Sequence, residues 1–264
     1  MRIEVDHTTL YQYSGRVARS TQILRLQPVS GWGQRVLDWR VELPARAVSF
    51  TDSFGNFTHV LTLDTEYDSL RIHAQGRVEL DAHPASDPIE RINPLVFLRP
   101  TALTSPDAAL TEFARAEQAA IACDSGAGLT GLMLAIAERM PYRPGSTSVS
   151  HTAAESFALG AGVCQDHTHV FIACCRVSGV PARYVSGYVD PVGDQPVTSH
   201  AWAEAWVGGR WMSFDVSNRR ADGAGYLRLA AGRDYLDTCP VRGVRAGGGE
   251  ERLTVHVTVK VLNP

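Results

Sequence analysis

A change of hydrophobic period near Gly179 and Pro181 does most to limit the folds open to this chain. Ahead of it, apolar residues recur at helical spacing; behind it they alternate, as in strands half buried against a core. The stretch Gly160–Gly179, GAGVCQDHTHVFIACCRVSG, lies at this junction. Its first glycines end one helix, and Val170, Phe171, Cys174 and Val177 mark the next, which Gly179 and Pro181 stop. Cys164 therefore sits at or near a helix N-terminus. Unpaired backbone N–H groups and the positive end of the helix dipole there favour a thiolate, the form of cysteine that attacks carbon.

Three helices lead up to that point. Ser105-Pro106-Asp107 reads as an N-cap, a first-turn proline and an early carboxylate ahead of Leu110 and Phe113. Leu129, Leu132, Met133, Ile136 and Met140 share one face of a second helix that Pro141 ends, and Thr152 with Glu155 forms a capping box for a short third. After Pro181, strands are expected over residues 182–189, 199–207 and 210–217, with a loop over 190–198 and a two-residue turn at Gly208-Gly209. A long loop follows. A last alternating strand runs from Leu253 to Val261.

Residues 1 to about 82 alternate in short runs, with a hairpin turn at Ser53-Phe54-Gly55-Asn56, and suggest a β-sandwich-like module. A proline-rich crossing from about His83 to Ser105, containing Pro84, Pro88, Pro94 and Pro100, separates it from the helices. The expectation is an α+β chain: a β-rich module over 1–100, then a core of helices packed on an antiparallel sheet over 101–264.

The formal net charge of −3, with no basic stripe, argues against a nucleic-acid partner. No apolar run reaches the ~20 residues that span a bilayer, and Arg2, Glu4 and Asp6 stand where a signal peptide carries apolar residues. A cytoplasmic protein without a membrane partner is expected. Five scattered cysteines, 123, 164, 174, 175 and 239, then read as free thiols, most of them small core residues.

The turn at Gly208-Gly209 fixes a register. It sets Trp202 opposite Asp215 and His200 opposite Ser217, which makes His200 and Asp215 diagonal neighbours at roughly 7 Å. The opposite face carries Ala201, Ala203, Ala205, Val207, Met212, Phe214 and Val216, and a one-residue slip would exchange the two sets. A helix-start cysteine, an imidazole and a carboxylate that orients it are the parts of a thiol acyl-transfer site. Cys164 is read as the nucleophile, His200 as the proton carrier and Asp215 as its orienting partner. A free thiol is only about 3% ionised at pH 7, so the helix start and a nearby imidazolium are needed to activate it. The Cys164 backbone N–H is the natural first oxyanion donor, with Tyr142 and Gln165 as candidates for a second and Trp202 for the cleft wall.

Around these residues the chain resembles the transglutaminase-like superfamily, relatives of papain-type cysteine proteases. The matching pieces are Gly162-Val163-Cys164-Gln165-Asp166, Ser199-His200-Ala201-Trp202-Ala203-Glu204 and Trp211-Met212-Ser213-Phe214-Asp215. Tyr142-Arg143-Pro144-Gly145 and Gly232-Arg233-Asp234-Tyr235 look like its bacterial branch, whose members carry a β-rich N-terminal region. Val216-Ser217 departs from the Pro-Thr common in the family. The resemblance implies a papain-like core with Cys164, His200 and Asp215 as triad, a peptide or protein amide as substrate, and no cofactor.

Each of these residues also has a plainer reading. A cysteine at a helix start, taken alone, is more often structural than reactive. His167, one turn from Cys164, has a position any helix offers, and Asp166 and Glu155 read as first-turn helix carboxylates. Cys164, His167 and His169 do not make a zinc set, because positions 167 and 169 lie on different helix faces. His7, His59, His73 and His83 lack metal-ligand spacing, and Trp202, Trp206 and Trp211 serve packing as readily as a cleft.

Overall fold

The computed structural model describes residues 1–81, 92–190 and 199–262. His83, Pro84 and Pro88 of the crossing segment, and Pro191, Gly193 and Pro196 of the expected loop, lie outside the described residues.

The first strand, β1 (Arg2–Gln27), is the spine of a seven-stranded antiparallel sheet. With it go β2 (Gln34–Glu42), β3 (Val48–Thr51), β4 (Phe57–Leu63) and β5 (Tyr67–Leu80), and β3 and β4 meet at the turn read from Ser53 to Asn56. Between Gln12 and Val17 the register of β1 against β5 shifts, and from Ser20 on the strand pairs with β4.

Short 3-10 turns at Pro94–Leu98 and Ala102–Thr104 lead into α1 (Ala108–Cys123), α2 (Ser125–Arg139), α3 (Ala153–Leu159) and α4 (Cys164–Val177). The N-cap of α1 is Asp107, whose carboxylate accepts the Leu110 N–H at 2.8 Å, while the expected cap Ser105 donates its hydroxyl to Thr101 O instead. Either residue type can cap, so composition did not decide between them. The Thr152–Glu155 capping box is present, and Gly160 ends α3 in the left-handed region at φ 67°.

A second sheet follows, built from β6 (Ala182–Val189), β7 (His200–Val207), β8 (Arg210–Phe214) and β9 (Tyr226–Gly232) in the order β8-β7-β6-β9, all antiparallel. The β7–β8 register is the expected one, Ala203 facing Phe214 and Trp206 facing Trp211. Two expectations are corrected here. The third strand stops at Phe214 and not at 217, because Asp215 turns out of the ladder to exchange backbone hydrogen bonds with Arg220. The long loop contains β9, whose seven residues are all buried, so no alternation reveals it.

After the short α5 (Tyr235–Thr238), β10 (Val241–Gly247) and β11 (Glu251–Leu262) return to the first sheet. β11 lies along residues 2–13 of β1 and β10 along residues 17–24. The assignment of all of 101–264 to the catalytic core is thus corrected at its end, because alternation shows that a strand is half buried but not which sheet takes it.

The chain stacks in three layers. On one face of the second sheet, Ala201, Ala203, Ala205 and Phe214 share a core with Leu132, Ile136, Val170 and Phe171, the small alanines letting α4 lie close. On the other, Tyr188, Leu227 and Leu229 pack with Ile3, Leu26 and Ile72 of the first sheet. Two side-chain amides join these sheets. Gln34 accepts the Arg228 N–H and donates to its carbonyl (both 2.9 Å), and Asn56 does the same at Ala231 (2.8 and 2.9 Å), which caps the free edge of β9. Among the described residues no helix is long and apolar enough to cross a membrane.

Candidate active site

Cys164 is the first residue of α4 and is half buried. Val163 before it has no polar side chain to cap the helix, and Asp166 does that work. Its Oδ2 accepts the Val163 N–H (2.8 Å) and the Thr147 hydroxyl (2.7 Å), and its Oδ1 accepts the Ser156 hydroxyl (2.8 Å). Gly162 is needed for this closeness, since a Cβ there would meet the Asp166 Cβ at 2.6 Å. Arg143 N–H donates to Gly162 O at 2.8 Å and ties down the same loop. The first-turn amides of α4, that of Cys164 among them, have no acceptor within the helix and lie at its positive end.

His200 opens β7, and Asp215 follows β8. The His200 Nε2–H donates to Asp215 Oδ2 at 2.6 Å. The Cys164 sulfur lies close enough to the imidazole for its hydrogen bonding and its charge to act on the ring. Burial disfavours a charged His200, but the hydrogen bonds to Asp215 and Cys164, with their charges, outweigh it and push its pKa up to about 10. Burial likewise opposes ionisation of Asp215. Its hydrogen bonds with His200, Tyr226 and Asn218 prevail and hold the carboxyl below the usual range.

The sequence did not single out Tyr226 or Asn218. Asp215 Oδ2 accepts the Tyr226 hydroxyl and the Asn218 amide, both at 2.7 Å, and Oδ1 accepts the Asn218 N–H at 3.1 Å. Asn218 follows the carboxylate by three residues, close enough in sequence for a local side-chain-to-backbone hydrogen bond, and was a readable signal. Tyr226 had none, being eleven residues away on the hidden strand β9.

The structure separates the remaining candidates. Tyr142 is half exposed beside Gly162, its ring 6.1 Å from that of His167. Gln165 donates one side-chain amide N–H to Val149 O at 3.0 Å, which turns its side chain toward the loop before α3. Trp202 is almost fully buried, its ring stacked behind His200 (6.4 Å) and tilted on Tyr226 (4.9 Å), so it backs the imidazole and is not open cleft wall. Trp211 packs against Trp206, Phe97 and the Arg183 guanidinium.

His167 is a brace. Its Nε2–H donates to Met140 O (2.8 Å), so its Nδ1 accepts the Ser217 hydroxyl (2.9 Å), and burial lowers its pKa and keeps it neutral. The serine at the departure from Pro-Thr thus ties the loop after Asp215 to α4. His169, wholly buried, accepts the Tyr235 N–H at 3.2 Å.

Helices packed on an antiparallel sheet, with a helix-start cysteine, a strand histidine and a carboxylate in that chain order, define a protein of the papain-like fold class. The chain belongs to the transglutaminase-like superfamily: residues 115–216 match that superfamily and residues 3–79 match the bacterial transglutaminase-like N-terminal region. It is 30% identical to an uncharacterised protein of Mycobacterium leprae, over 99% of both chains. It is also 30% identical to an uncharacterised protein of Mycobacterium bovis, over 99% of this chain and 92% of that one. Among solved structures, a candidate cysteine protease from Cytophaga hutchinsonii superposes with a TM-score of 0.82 at 23% identity, covering 100% of this chain and 91% of the other, and shares the fold.

Proposed function

We propose that this chain is a cysteine-dependent acyl-transfer enzyme that hydrolyses a peptide or side-chain amide through a thioester. The observation that carries the reading is the placement of His200 between Asp215, whose Oδ2 lies 2.6 Å from its Nε2, and the Cys164 sulfur, which is close enough to act on the ring. The Cys164 sulfur, as thiolate, attacks the amide carbon, and the oxyanion is met by the Cys164 backbone N–H, the kind of donor whose loss costs about 3 to 4 kcal/mol. Tyr142, close enough that the sulfur's charge acts on its phenol, is the second donor in this scheme. Protonated His200 gives its proton to the departing amine as the C–N bond breaks, leaving an acyl-enzyme. Neutral His200 then takes a proton from water, which attacks the thioester and releases the acid. Asp215 keeps the ring oriented throughout and stabilises its charged form.

An amine in place of that water would make the protein a transglutaminase with the same residues. Incubation with a glutamine peptide and a fluorescent amine separates the two. Ammonia release or cleavage without label supports hydrolysis, incorporation supports transfer, and either must vanish in Cys164→Ala. Acyl turnover that survives in Cys164→Ala would refute the proposal.

A further inference from the structure

Asp215 holds more donors than orienting one imidazole requires. Besides His200 it takes the Tyr226 hydroxyl and two groups of Asn218, and Tyr226 comes from β9, a strand that supplies no other member of the site. We propose that Tyr226 is a positioning residue which, with Asn218, keeps Asp215 ionised and so sets how far into acid the Cys164–His200 ion pair persists. This rests on the acyl-transfer reading of the site, and it adds a residue that acts only through the carboxylate.

The geometry supports the assignment. The Tyr226 ring is fixed by Trp202 on one side (4.9 Å) and by the Arg220 guanidinium (5.1 Å), so its hydroxyl is delivered to Oδ2 without side-chain search. Burial and the Asp215 charge raise the Tyr226 pKa, so the phenol remains a donor wherever the enzyme is folded. Arg220 is itself balanced by Asp190 and Asp222, at 3.5 and 3.3 Å. From α4 come Cys164 and His167, and from the loop after α2 the Tyr142 phenol, none of which donates to the carboxylate. Tyr226 and Asn218 are thus the groups besides His200 that favour the charged form by direct hydrogen bonds. Each donor lowers the pH at which Asp215 takes a proton. Taking one away raises that pH, and the imidazolium loses its support sooner as the solution is acidified.

The test needs no substrate. The rate of Cys164 alkylation by iodoacetamide is followed by peptide mass spectrometry between pH 3 and 9 in the full-length protein, for wild type, Tyr226→Phe, Asn218→Ala and Asp215→Asn. Phenylalanine keeps the ring contacts, and circular dichroism reports folding. The acid limb is expected to move upward by about one pH unit in Tyr226→Phe, as for the loss of one hydrogen bond to a charged group, and in the same direction in Asn218→Ala. Adding Tyr226→Phe to Asp215→Asn should produce no further shift. Superimposable limbs for wild type, Tyr226→Phe and Asn218→Ala, with rapid alkylation retained in acid, overturn the positioning role and leave the triad standing. A wild-type profile with the single limb of an ordinary thiol overturns both.

Discussion

The carboxylate of Asp166 reaches back 2.8 Å to the backbone N–H of Val163, the residue before Cys164. Through that contact and those with Thr147 and Ser156, one buried side chain sets where α4 begins and hence where the sulfur stands. The glycine at 162 leaves the room it needs. Gly162→Ala is expected to fold yet to lose about tenfold or more in Cys164 alkylation rate at pH 6, because the new methyl displaces Asp166 and shifts the helix start. A variant alkylated at the wild-type rate would show that the sulfur's position does not depend on this loop.

The thiols themselves should divide sharply. Cys174, Cys175 and Cys239 are buried, and burial raises the pKa of each. Cys123 is exposed and competes on access alone, whereas Cys164 has an imidazolium beside it. Limited iodoacetamide at pH 6 is expected to label Cys164 first and Cys123 well behind. Equal labelling of 164 and 123 would remove the activated-thiol account.

Asp215→Asn should leave the fold intact and lower turnover by about 10³ to 10⁴, the scale seen when an orienting carboxylate becomes an amide. Tyr226, Asn218 and His200 all present donors to this group, and an amide can satisfy them only with its oxygen. Unchanged turnover on whichever amide substrate the wild type accepts would mean that Asp215 does not orient His200.

How legible this site was follows from the range of each signal. The start of α4 and the β7–β8 register are set by residues close in sequence, Gly160 through Asp166 and the Gly208-Gly209 turn, and both were readable. β9 was hidden because it is covered on both faces and shows no alternation. Tyr226 was hidden with it. The return of β10 and β11 to β1 is a pairing across more than two hundred positions, for which an alternating strand gives a face but no address. Gln165 looked like an oxyanion donor because it adjoins Cys164 in sequence, and only the helix geometry shows its amide turned to Val149.

Arg176, in the last turn of α4, is a structural charge. Its guanidinium donates to the carbonyls of Phe97 (2.8 Å), Ala182 (3.1 Å) and Arg233 (2.8 Å) and to the Thr104 hydroxyl (2.5 Å), joining the 3-10 turns, β6 and the chain after β9. Burial lowers its pKa only to about 10, so it is charged at neutral pH. Arg176→Met would strand these acceptors, and a loss of about 3 to 5 kcal/mol is expected in urea denaturation. A loss below about 1 kcal/mol would show that water satisfies them.

Acid stability should be limited by buried histidines outside the Cys164, His200 and Asp215 group. His7 is buried between the sheets, with Nδ1 2.6 Å from the Tyr188 hydroxyl and Nε2 3.0 Å from that of Thr9, and burial lowers its pKa to about 4. An unfolded histidine titrates near 6.5, so the unfolded chain takes up a proton that the folded chain refuses. The stabilisation from a neutral His7 is therefore complete above about pH 6.5 and is lost as the pH falls toward 4, a difference of about 3 kcal/mol. His169, lowered to about 3, extends the loss further into acid. In His7→Gln the Tyr188 contact is weakened at every pH, but the extra proton uptake is gone. Urea denaturation at pH 7 and pH 4.5 is expected to show the variant less stable at pH 7, yet losing about 2 to 3 kcal/mol less than wild type between the two. Parallel losses in the two proteins would place the acid sensitivity elsewhere.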